Sequence, residues 1–397
     1  MKVFLIIFLS LPFIFLPEPA LSTHTSDTID YRSGSWEEIR TMAAETDKFI
    51  MVSFIAEWCY WCRAMEETTF RDAGVVRELN ENYISWRLDA DLEESFAMAA
   101  KFRVTSFPTL LFFGPDASFI TKKTGYIADA EEFSEKVREI AEMEDSEFPD
   151  YAFDPAVLNP GFPDFYLAAF YDEGVSEDGL FVEALMYIID LEEEELIGEI
   201  PWSVMYKFGI TAGNSGDYFI SRYNEFKRRF GQTESLSHLR KVYRDKISMY
   251  AKLREEKYML SQLNRLDKLE VDDIENEKLR FKISYYMQTQ EWNKVLDQME
   301  HHLKTSDSPN LNSVNSVSLN IYDATSDPKI LSRAADLMGR VTDIHPIYPH
   351  LDTHAALLFR AGRVEEGLEV AKKAIVVGKE EGIDVSDTEI LMEIYKE

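Results

Sequence analysis

The sequence predicts a chain of two architectures, an α/β domain near the N-terminus followed by a larger all-α domain. Within residues 36–143, short apolar runs of β-prone residues alternate with amphipathic helical stretches, as in a sheet covered by helices. Residues 144–163 are rich in Asp, Glu, Pro and aromatic residues, which indicates a linker or a covering loop. Beyond them helical periodicity dominates. We therefore expect one domain over residues 30–145 and an acidic all-α domain over residues 150–397.

The elements of the first domain follow from local patterns. Residues 23–34 are polar and predict a flexible entry, after which Ser35 caps a helix that ends near Glu45. Phe49–Ile55 is short, apolar and β-prone, which predicts a buried central strand. The remaining elements are a helix from Cys59 through Glu66, a helix over Arg71–Asn80, a strand over Tyr83–Leu88, a helix over Leu92–Phe102, strands over Thr109–Phe113 and Ser118–Thr124, and a helix over Ala130–Met143. With the two helical pieces after the first strand counted as one helix, the order from that strand onward is β-α-β-α-β-β-α.

The all-α domain has the character of a helical repeat from about residue 279. Helical character is continuous over Thr233–Leu269, and helix pairs are predicted over Leu279–Leu303, Ser316–Ile344 and Leu351–Gly378. The run from Leu357 to Leu368 resembles a tetratricopeptide repeat, because its first helix ends at a glycine turn. Gly367 stands where that family usually has alanine, which weakens the second helix by about 1 kcal/mol at most. Residues 164–232 carry no motif that indicates a function.

The net charge restricts the partners of the chain. The formal charge at pH 7 is −30, so the phosphates of a nucleic acid and an anionic membrane surface would both be repelled. An acidic face could meet a basic protein partner, but such charges more commonly form a solvated surface. We therefore expect no binding to nucleic acid.

The first 22 residues have the pattern of a secretion signal peptide. Lys2 supplies a positive charge, Val3–Leu16 is almost entirely apolar, and Pro17–Ser22 offers small residues for cleavage. This apolar run is short for a membrane span, and no later segment approaches about 20 apolar residues, so no stable span is expected after cleavage. An uncleaved anchor is the alternative. We expect an exported, periplasmic protein in an oxidising compartment.

The chemistry of the chain is concentrated in its only two cysteines, Cys59 and Cys62. Their spacing allows one small disulfide ring to close and reopen, which is the reaction of thiol–disulfide exchange. At a helix N-terminus, unpaired N–H groups and the helix dipole stabilise the thiolate of an accessible Cys59. Cys62 lies one turn later on the same face and would resolve a mixed disulfide. Glu66 is the nearest candidate in sequence to accept the proton of Cys62.

Other interpretations of these residues stay open. Two cysteines at this spacing form half of a zinc site, but the seven histidines lie far away in sequence, so no metal is expected. The pair could also be a static disulfide, and Glu66 a solvated helix residue. Trp58, Tyr60 and Trp61 could form a hydrophobic platform for a peptide substrate or pack partly in the core, and packing is favoured for Trp58.

These residues together resemble the thioredoxin-like superfamily over residues 36–143. The resemblance rests on the strand Met51–Ile55, the lead-in Ala56–Cys59, the second cysteine Cys62 and the segment Thr105–Thr109. It implies that Pro108 forms a cis peptide bond facing the dithiol and that the backbone beside it, at Phe107, pairs with the substrate chain. The segment Cys62–Phe70 looks most like the C-terminal periplasmic domain of the DsbD-type thiol reductant transporter, in which a Glu matching Glu66 lies near the dithiol.

Two positions depart from the thioredoxin pattern. Thioredoxins bury an Asp in the strand before the dithiol, where this chain has Ser53, which leaves Glu66 as the only obvious proton acceptor. The pair between the cysteines is Tyr60-Trp61 instead of Gly-Pro or Pro-His, and this pair tunes the reduction potential. The layout of the whole chain resembles exported bacterial thioredoxin-family proteins with a helical-repeat C-terminus.

The sequence thus predicts an exported thiol–disulfide oxidoreductase that acts on protein disulfides without a cofactor. Cys59 is the predicted nucleophile, Cys62 the resolving cysteine, and the DsbD-like segment favours reduction over oxidation or isomerisation. Because the chain has no second dithiol, a reductase would need a separate electron donor. The alternative is a protein-binding or chaperone-like module, in which the helical domain carries the function and the dithiol is regulatory. The sequence does not indicate the partner of the helical domain.

Overall fold

The computed structural model describes residues 28–171, 176–211 and 213–396, so the predicted signal peptide lies outside the described residues. The chain divides into two compact units, the first ending at Leu180 and the second beginning at Phe181. The first unit contains a five-stranded sheet covered by helices, and the second is built from helices over its described residues. The predicted fold class, an α/β domain followed by a helical region, is confirmed.

The α/β elements of the first unit follow the predicted order. Its strands are β1 (Tyr31–Arg32), β2 (Phe49–Ile55), β3 (Tyr83–Asp89), β4 (Thr109–Phe113) and β5 (Phe119–Thr124). Its helices are α1 (Trp36–Thr46), α2 (Tyr60–Glu67), α3 (Ala73–Asn82), α4 (Glu93–Lys101), α5 (Ala130–Ala141) and α6 (Asp164–Tyr171), with short 3-10 turns at Thr69–Arg71 and Asp145–Glu147. Ser35 caps α1 as predicted, because its hydroxyl accepts from the Glu38 N–H while the Glu38 carboxylate accepts from the Ser35 N–H.

The sheet has the strand order β1-β3-β2-β4-β5. β2 runs parallel to β3, with Ile55 opposite Asp89, and β4 runs antiparallel to β2, with Thr109 opposite Phe54. Every residue of β2 is buried, which explains why its sequence is a continuous apolar run and not an alternating one. This register brings the C-terminal end of β2 and the start of β4 to the same edge of the sheet.

Helices cover both faces of this sheet. On one face α1 and α4 pack on the strands, where Trp36 and Met98 contribute to one core with Val52. On the other face α2, α3 and α5 form a second core, in which Met65 of α2 joins Met51 of β2. The alternation of strand side chains therefore decides which residues lie beneath α2.

The edge strand β1 was not predicted, since the sequence indicated a flexible entry over residues 23–34. Tyr31 and Arg32 run parallel to β3, with Tyr31 opposite Ser85. A strand of two residues has no detectable alternation, so its pairing depends on the edge that β3 leaves open. The strand places the Tyr31 side chain on the same sheet face as α2.

The segment after α5 covers the first unit. Tyr151, Phe153 and Leu158 pack against the core beneath α1 and α4, and the Trp36 indole N–H donates to the Pro155 carbonyl at 3.2 Å. The aromatic residues of this segment thus form a covering loop and not a free linker. The division between the compact units falls after Leu180 and not near residue 150, where the change of composition had suggested it.

The remaining helices begin with four short ones and a long one. The short helices are α7 (Glu177–Ile189), α8 (Glu199–Phe208), α9 (Asn214–Ser221) and α10 (Tyr223–Phe230), and the long helix is α11 (Gln232–Leu253). The buried Trp202 of α8 lies at the centre of an aromatic cluster formed by Phe219, Phe226, Phe230 and His238. Residues 164–232, which carry no motif, therefore include the core of the first helices of the second unit.

Helix pairs follow to the end of the described chain. They are α12 (Glu256–Leu266), α13 (Ile274–Gln288), α14 (Trp292–Thr305), α15 (Leu311–Ala324), α16 (Pro328–Ile344), α17 (Tyr348–Arg360), α18 (Val364–Glu380) and α19 (Ser386–Ile394). Each predicted pair is present, and α14 also contacts α16 while α15 contacts α17, which is how stacked helical repeats pack. The single helical stretch expected over 233–269 is instead two helices, because Arg254 takes a left-handed conformation with φ of 56°.

Gly367 has a packing role that the sequence comparison with alanine did not reveal. A Cβ atom at this position would lie 2.7 Å from Cδ1 of Phe359. Glycine therefore permits the close approach of α17 and α18, although it lowers helix propensity.

None of the described helices is both long and apolar enough to cross a bilayer.

Candidate active site

The two cysteines form a closed disulfide at the N-terminus of α2. β2 ends at Ile55, and after a short turn Cys59 occupies the N-cap of α2. The Cα atoms of Cys59 and Cys62 are 5.3 Å apart, and the Cys62 backbone N–H donates to the Cys59 sulfur at 3.1 Å. The Cys59 sulfur thus receives a helix N-terminal N–H, which stabilises a thiolate there after reduction.

The disulfide is less exposed than the sequence suggested for an accessible nucleophile. Cys59 is 5% exposed and Cys62 is 3% exposed. The physical reason is local packing, because Ile55, Ala56 and Phe107 form one small cluster with both cysteines. Entry to the sulfur atoms is therefore controlled by side chains that border them.

The loop before β4 is one of these borders. The Phe107–Pro108 peptide bond is cis, and Phe107 packs with both cysteines. Because Thr109 pairs with Phe54 near the end of β2, the sheet register places this loop beside the start of α2. Pro108 is thus brought close to the disulfide, although it is distant from it in sequence.

Two groups of aromatic rings belong to the segments around the disulfide. In the first group Trp58 meets Phe107 edge-on with centroids 5.9 Å apart, and its indole N–H donates to Asp91 at 3.3 Å. In the second group Tyr60 meets Trp61 edge-on at 5.1 Å, and Trp61 stacks on Tyr126 at 5.5 Å. We call these five rings, Trp58, Tyr60, Trp61, Phe107 and Tyr126, the aromatic border.

Three rings of the aromatic border are strongly exposed. Trp58 is 68% exposed, Tyr60 65% and Trp61 54%. The core packing that the sequence favoured for Trp58 is therefore wrong, since its ring lies on the surface and is held by Phe107 and Asp91. Large aromatic side chains clustered on a surface are characteristic of interaction sites.

Glu66 lies on α2 one turn after Cys62. Both residues line a cavity of about 280 Å³, which Arg87 also borders. The nearer Glu66 oxygen is 3.7 Å from Nη1 of Arg87, which is an ion pair without a short hydrogen bond. Burial raises the pKa of Glu66 above its ordinary value, while the positive charge of Arg87 acts in the opposite direction. Glu66 is therefore a half-buried carboxyl that shares a cavity with Cys62, and not a solvated helix residue.

Sequence reasoning missed four residues around the site. Arg87 and Tyr31 lie beside Glu66, and Asp91 and Tyr126 support the exposed rings. The sequence contains a signal for Arg87, because it is a positively charged residue within the mostly buried strand β3. The other three reach the site through the strand pairing and loop positions of the fold, which local patterns do not show.

No cluster of three or more potential metal-binding His, Cys, Asp or Glu side chains occurs within residues 28–171, 176–211 and 213–396. The two sulfur atoms are joined to each other. The site is therefore a disulfide-bonded cysteine pair at a helix N-terminus, beside a proline loop and a half-buried carboxyl.

Comparison with known proteins agrees with this arrangement. A family model described as a thioredoxin-like domain matches residues 36–141. These residues form a thioredoxin-like domain. The thiol:disulfide interchange protein DsbD of Yersinia pestis (strain Pestoides F) is 34% identical over 95 residues, which cover 23% of this chain and 16% of DsbD. A protein disulfide-isomerase of Schizosaccharomyces pombe is 29% identical over 84 residues, covering 21% of this chain and 23% of that protein.

Solved structures also show similarity to part of this chain. A thioredoxin from Thermus thermophilus shares 25% sequence identity, with a TM-score of 0.26, and the match covers 28% of this chain and 88% of that one. The similarity to DsbD spans about a sixth of that protein's length. The family match lies within the first unit of the chain.

Proposed function

We propose that this protein is an exported thiol–disulfide oxidoreductase that reduces disulfides in polypeptide substrates. The observation that carries the proposal is the Cys59–Cys62 disulfide at the N-terminus of α2, set among exposed aromatic rings. The thioredoxin-like domain and its DsbD and disulfide-isomerase relatives support thiol–disulfide chemistry. The segment that resembles DsbD favours reduction as the direction.

The reaction begins with the reduced dithiol. The Cys59 thiolate attacks one sulfur of a substrate disulfide, so a Cys59–substrate mixed disulfide forms and the first substrate sulfur leaves as a thiolate. Cys62 then loses its proton to the Glu66 carboxylate, and its thiolate attacks the Cys59 sulfur. The Cys59–Cys62 bond forms, the bond to the substrate breaks, and the second substrate sulfur leaves as a thiolate. Two electrons have passed from the dithiol to the substrate.

The site residues have distinct roles in this proposal. The helix N-terminus stabilises the Cys59 thiolate, and Glu66 accepts the Cys62 proton in a cavity that both residues line. Pro108 shapes the groove beside Cys59, and Phe107 with the exposed rings of Trp58, Tyr60 and Trp61 contacts the substrate chain. A separate electron donor must return the disulfide to the dithiol, and the stacked helices of the second unit recruit or restrict protein partners.

Trapping of the mixed disulfide tests this proposal. Reduced full-length Cys62→Ser should accumulate a covalent complex with insulin, because its Cys59 can attack but nothing resolves the product. Cys59→Ser should form no such complex, and the wild-type protein should release reduced insulin without accumulating it. Equal trapping by both variants would refute the assigned roles. Insulin that stays oxidised with the reduced wild-type protein would refute the reductase itself.

A further inference from the structure

Four polar atoms are buried together on the sheet face beneath α2. They are the hydroxyl oxygens of Tyr31, Ser53 and Ser85 and one carboxyl oxygen of Glu66, and none has a hydrogen-bond partner as positioned. Buried polar atoms without partners are rare in folded proteins, so a group of them in one place requires an explanation. These four come from four different elements, β1, β2, β3 and α2.

The sheet register explains why they meet. Tyr31 lies opposite Ser85, and Ser53 lies opposite Arg87, on neighbouring strands. Side chains alternate along a strand, so Ser53 shares the face of Met51, whose side chain packs with Met65 of α2. The guanidinium of Arg87 lies over the Tyr31 ring, 5.8 Å from its centroid. Because of this strand pairing, the Tyr31 hydroxyl lies on the sheet face that α2 covers, near Glu66.

Tyr31 and Glu66 influence each other directly. Glu66 interacts with the Tyr31 hydroxyl and with Arg87, and Tyr31 also interacts with Ser53. Burial and the Glu66 charge raise the pKa of Tyr31 far above its ordinary value, so its O–H keeps its proton at every working pH. A hydrogen bond in which Tyr31 donates and the Glu66 carboxylate accepts would satisfy both of these unpartnered atoms. The Tyr31 hydroxyl can therefore donate at any working pH, whereas the Glu66 carboxyl gains or loses its proton as the pH changes.

We propose that Tyr31 is a positioning residue for the resolving step, because its hydroxyl holds the Glu66 carboxylate ready to accept the proton of Cys62. The inference rests on the proposed function and adds to it a residue from the edge strand. Tyr31 does not touch the substrate or the sulfur atoms. It acts through Glu66, by favouring the ionised form that can take up a proton.

Several charged groups set the ionisation of Glu66. Burial disfavours the carboxylate most strongly, and Arg87 and Arg71 favour it. The titratable and charged side chains that line the cavity with it are Glu57, Cys62, Arg63, Glu67, Arg87 and Asp89. Acidic residues act to raise the pKa of a neighbouring carboxyl, and basic residues act to lower it. Tyr31 is neutral, so replacing it with Phe removes only its hydrogen bond to Glu66 and leaves the charge of the cavity unchanged.

The test is the pKa of the Glu66 carboxyl, followed by carboxyl-carbon NMR in the oxidised full-length protein, where no thiol titrates. In Tyr31→Phe the carboxylate loses its donor, so the pKa of Glu66 should rise by about one unit. Tyr83→Phe is the matched control. Tyr83 is another buried tyrosine on this sheet face, but its hydroxyl donates to the Val137 carbonyl, and this variant should leave the Glu66 titration unchanged.

Kinetics give the second readout. In the reduced protein the rate of mixed-disulfide resolution should rise with pH as Glu66 ionises. In Tyr31→Phe this rise should move up by about one pH unit, which gives a roughly tenfold slower resolution at low pH and an unchanged rate at high pH. An unchanged Glu66 pKa in Tyr31→Phe overturns the inference, whatever the rate. Absence of any exchange by the wild-type protein refutes the proposed function, while the carboxyl titration still decides the coupling of Tyr31 to Glu66.

Discussion

Replacing Glu66 with glutamine removes a proton acceptor while keeping nearly the same shape. Cys62 is 3% exposed and shares its cavity with Glu66. Asp89 also lines the cavity, but its carboxylate accepts the Asp91 N–H. An unassisted thiol of pKa about 8.5 is only about 3% ionised at pH 7. Loss of the carboxylate should therefore slow the resolving step roughly 30-fold at pH 7.

The pH dependence distinguishes this explanation from a loss of folding. The resolving rate of Glu66→Gln should increase about tenfold per pH unit, until it equals the wild-type rate near pH 8.5.

The same substitution should not weaken the fold. Burial raises the pKa of Glu66, so the folded protein binds the carboxyl proton more tightly than the unfolded chain does. Such a group stabilises the folded state below the unfolded pKa, and this stability is lost as pH rises through the folded pKa. Glu66→Gln should consequently unfold in urea no more easily than the wild type at pH 7.

The assay is single-turnover stopped-flow kinetics of the reduced protein with a peptide disulfide, followed by tryptophan fluorescence from pH 5.5 to about pH 9. Glu67→Gln is the matched control, because Glu67 lines the same cavity but is exposed. This control should keep the wild-type profile. A Glu66→Gln profile that coincides with the wild type would remove Glu66 from the mechanism.

Two further predictions concern the helical unit. Gly367→Ala should lower the free energy of unfolding by about 1 kcal/mol, because the close contact with Phe359 outweighs the gain in helix propensity. Gly339→Ala should not lower the free energy of unfolding, because the nearest atom to its new Cβ would be 3.4 Å away. Urea unfolding of the two variants compares these effects, and equal effects would refute the packing argument. Burial lowers the pKa of His238 to about 4, so stability should fall by about 1.4 kcal/mol per unit as pH drops from about 6.5 to 4. In His238→Phe the free energy of unfolding should fall less steeply over this pH range. A slope equal to that of the wild type would contradict this prediction.

Local patterns predicted the elements of the first unit closely. The apolar run Phe49–Ile55 and the strand Thr109–Phe113 have the bounds that the sequence indicated, and Ser35 forms the capping box. These features depend on neighbouring residues, so the sequence contains them. The two cysteines and the preceding strand likewise indicated the dithiol at the start of α2.

What the sequence did not show depends on residues that meet only in the fold. Tyr31 reaches Glu66 because a two-residue strand pairs with β3. Tyr126 reaches Trp61 from a loop after β5. Phe153 packs on the first unit although its surroundings have the composition of a linker. The exposed ring of Trp58 donates to Asp91, a contact between distant positions.

The reduction potential of the Cys59–Cys62 pair decides between reduction and oxidation of the substrate. The full-length protein is equilibrated with mixtures of reduced and oxidised glutathione or dithiothreitol, and the fraction of disulfide is read by thiol alkylation. We expect a potential close to that of thioredoxin, about −270 mV, which suits a reductase supplied by a separate donor. A value near −120 mV, that of a strong oxidant, would contradict the proposed direction and make the protein an oxidant of folding polypeptides.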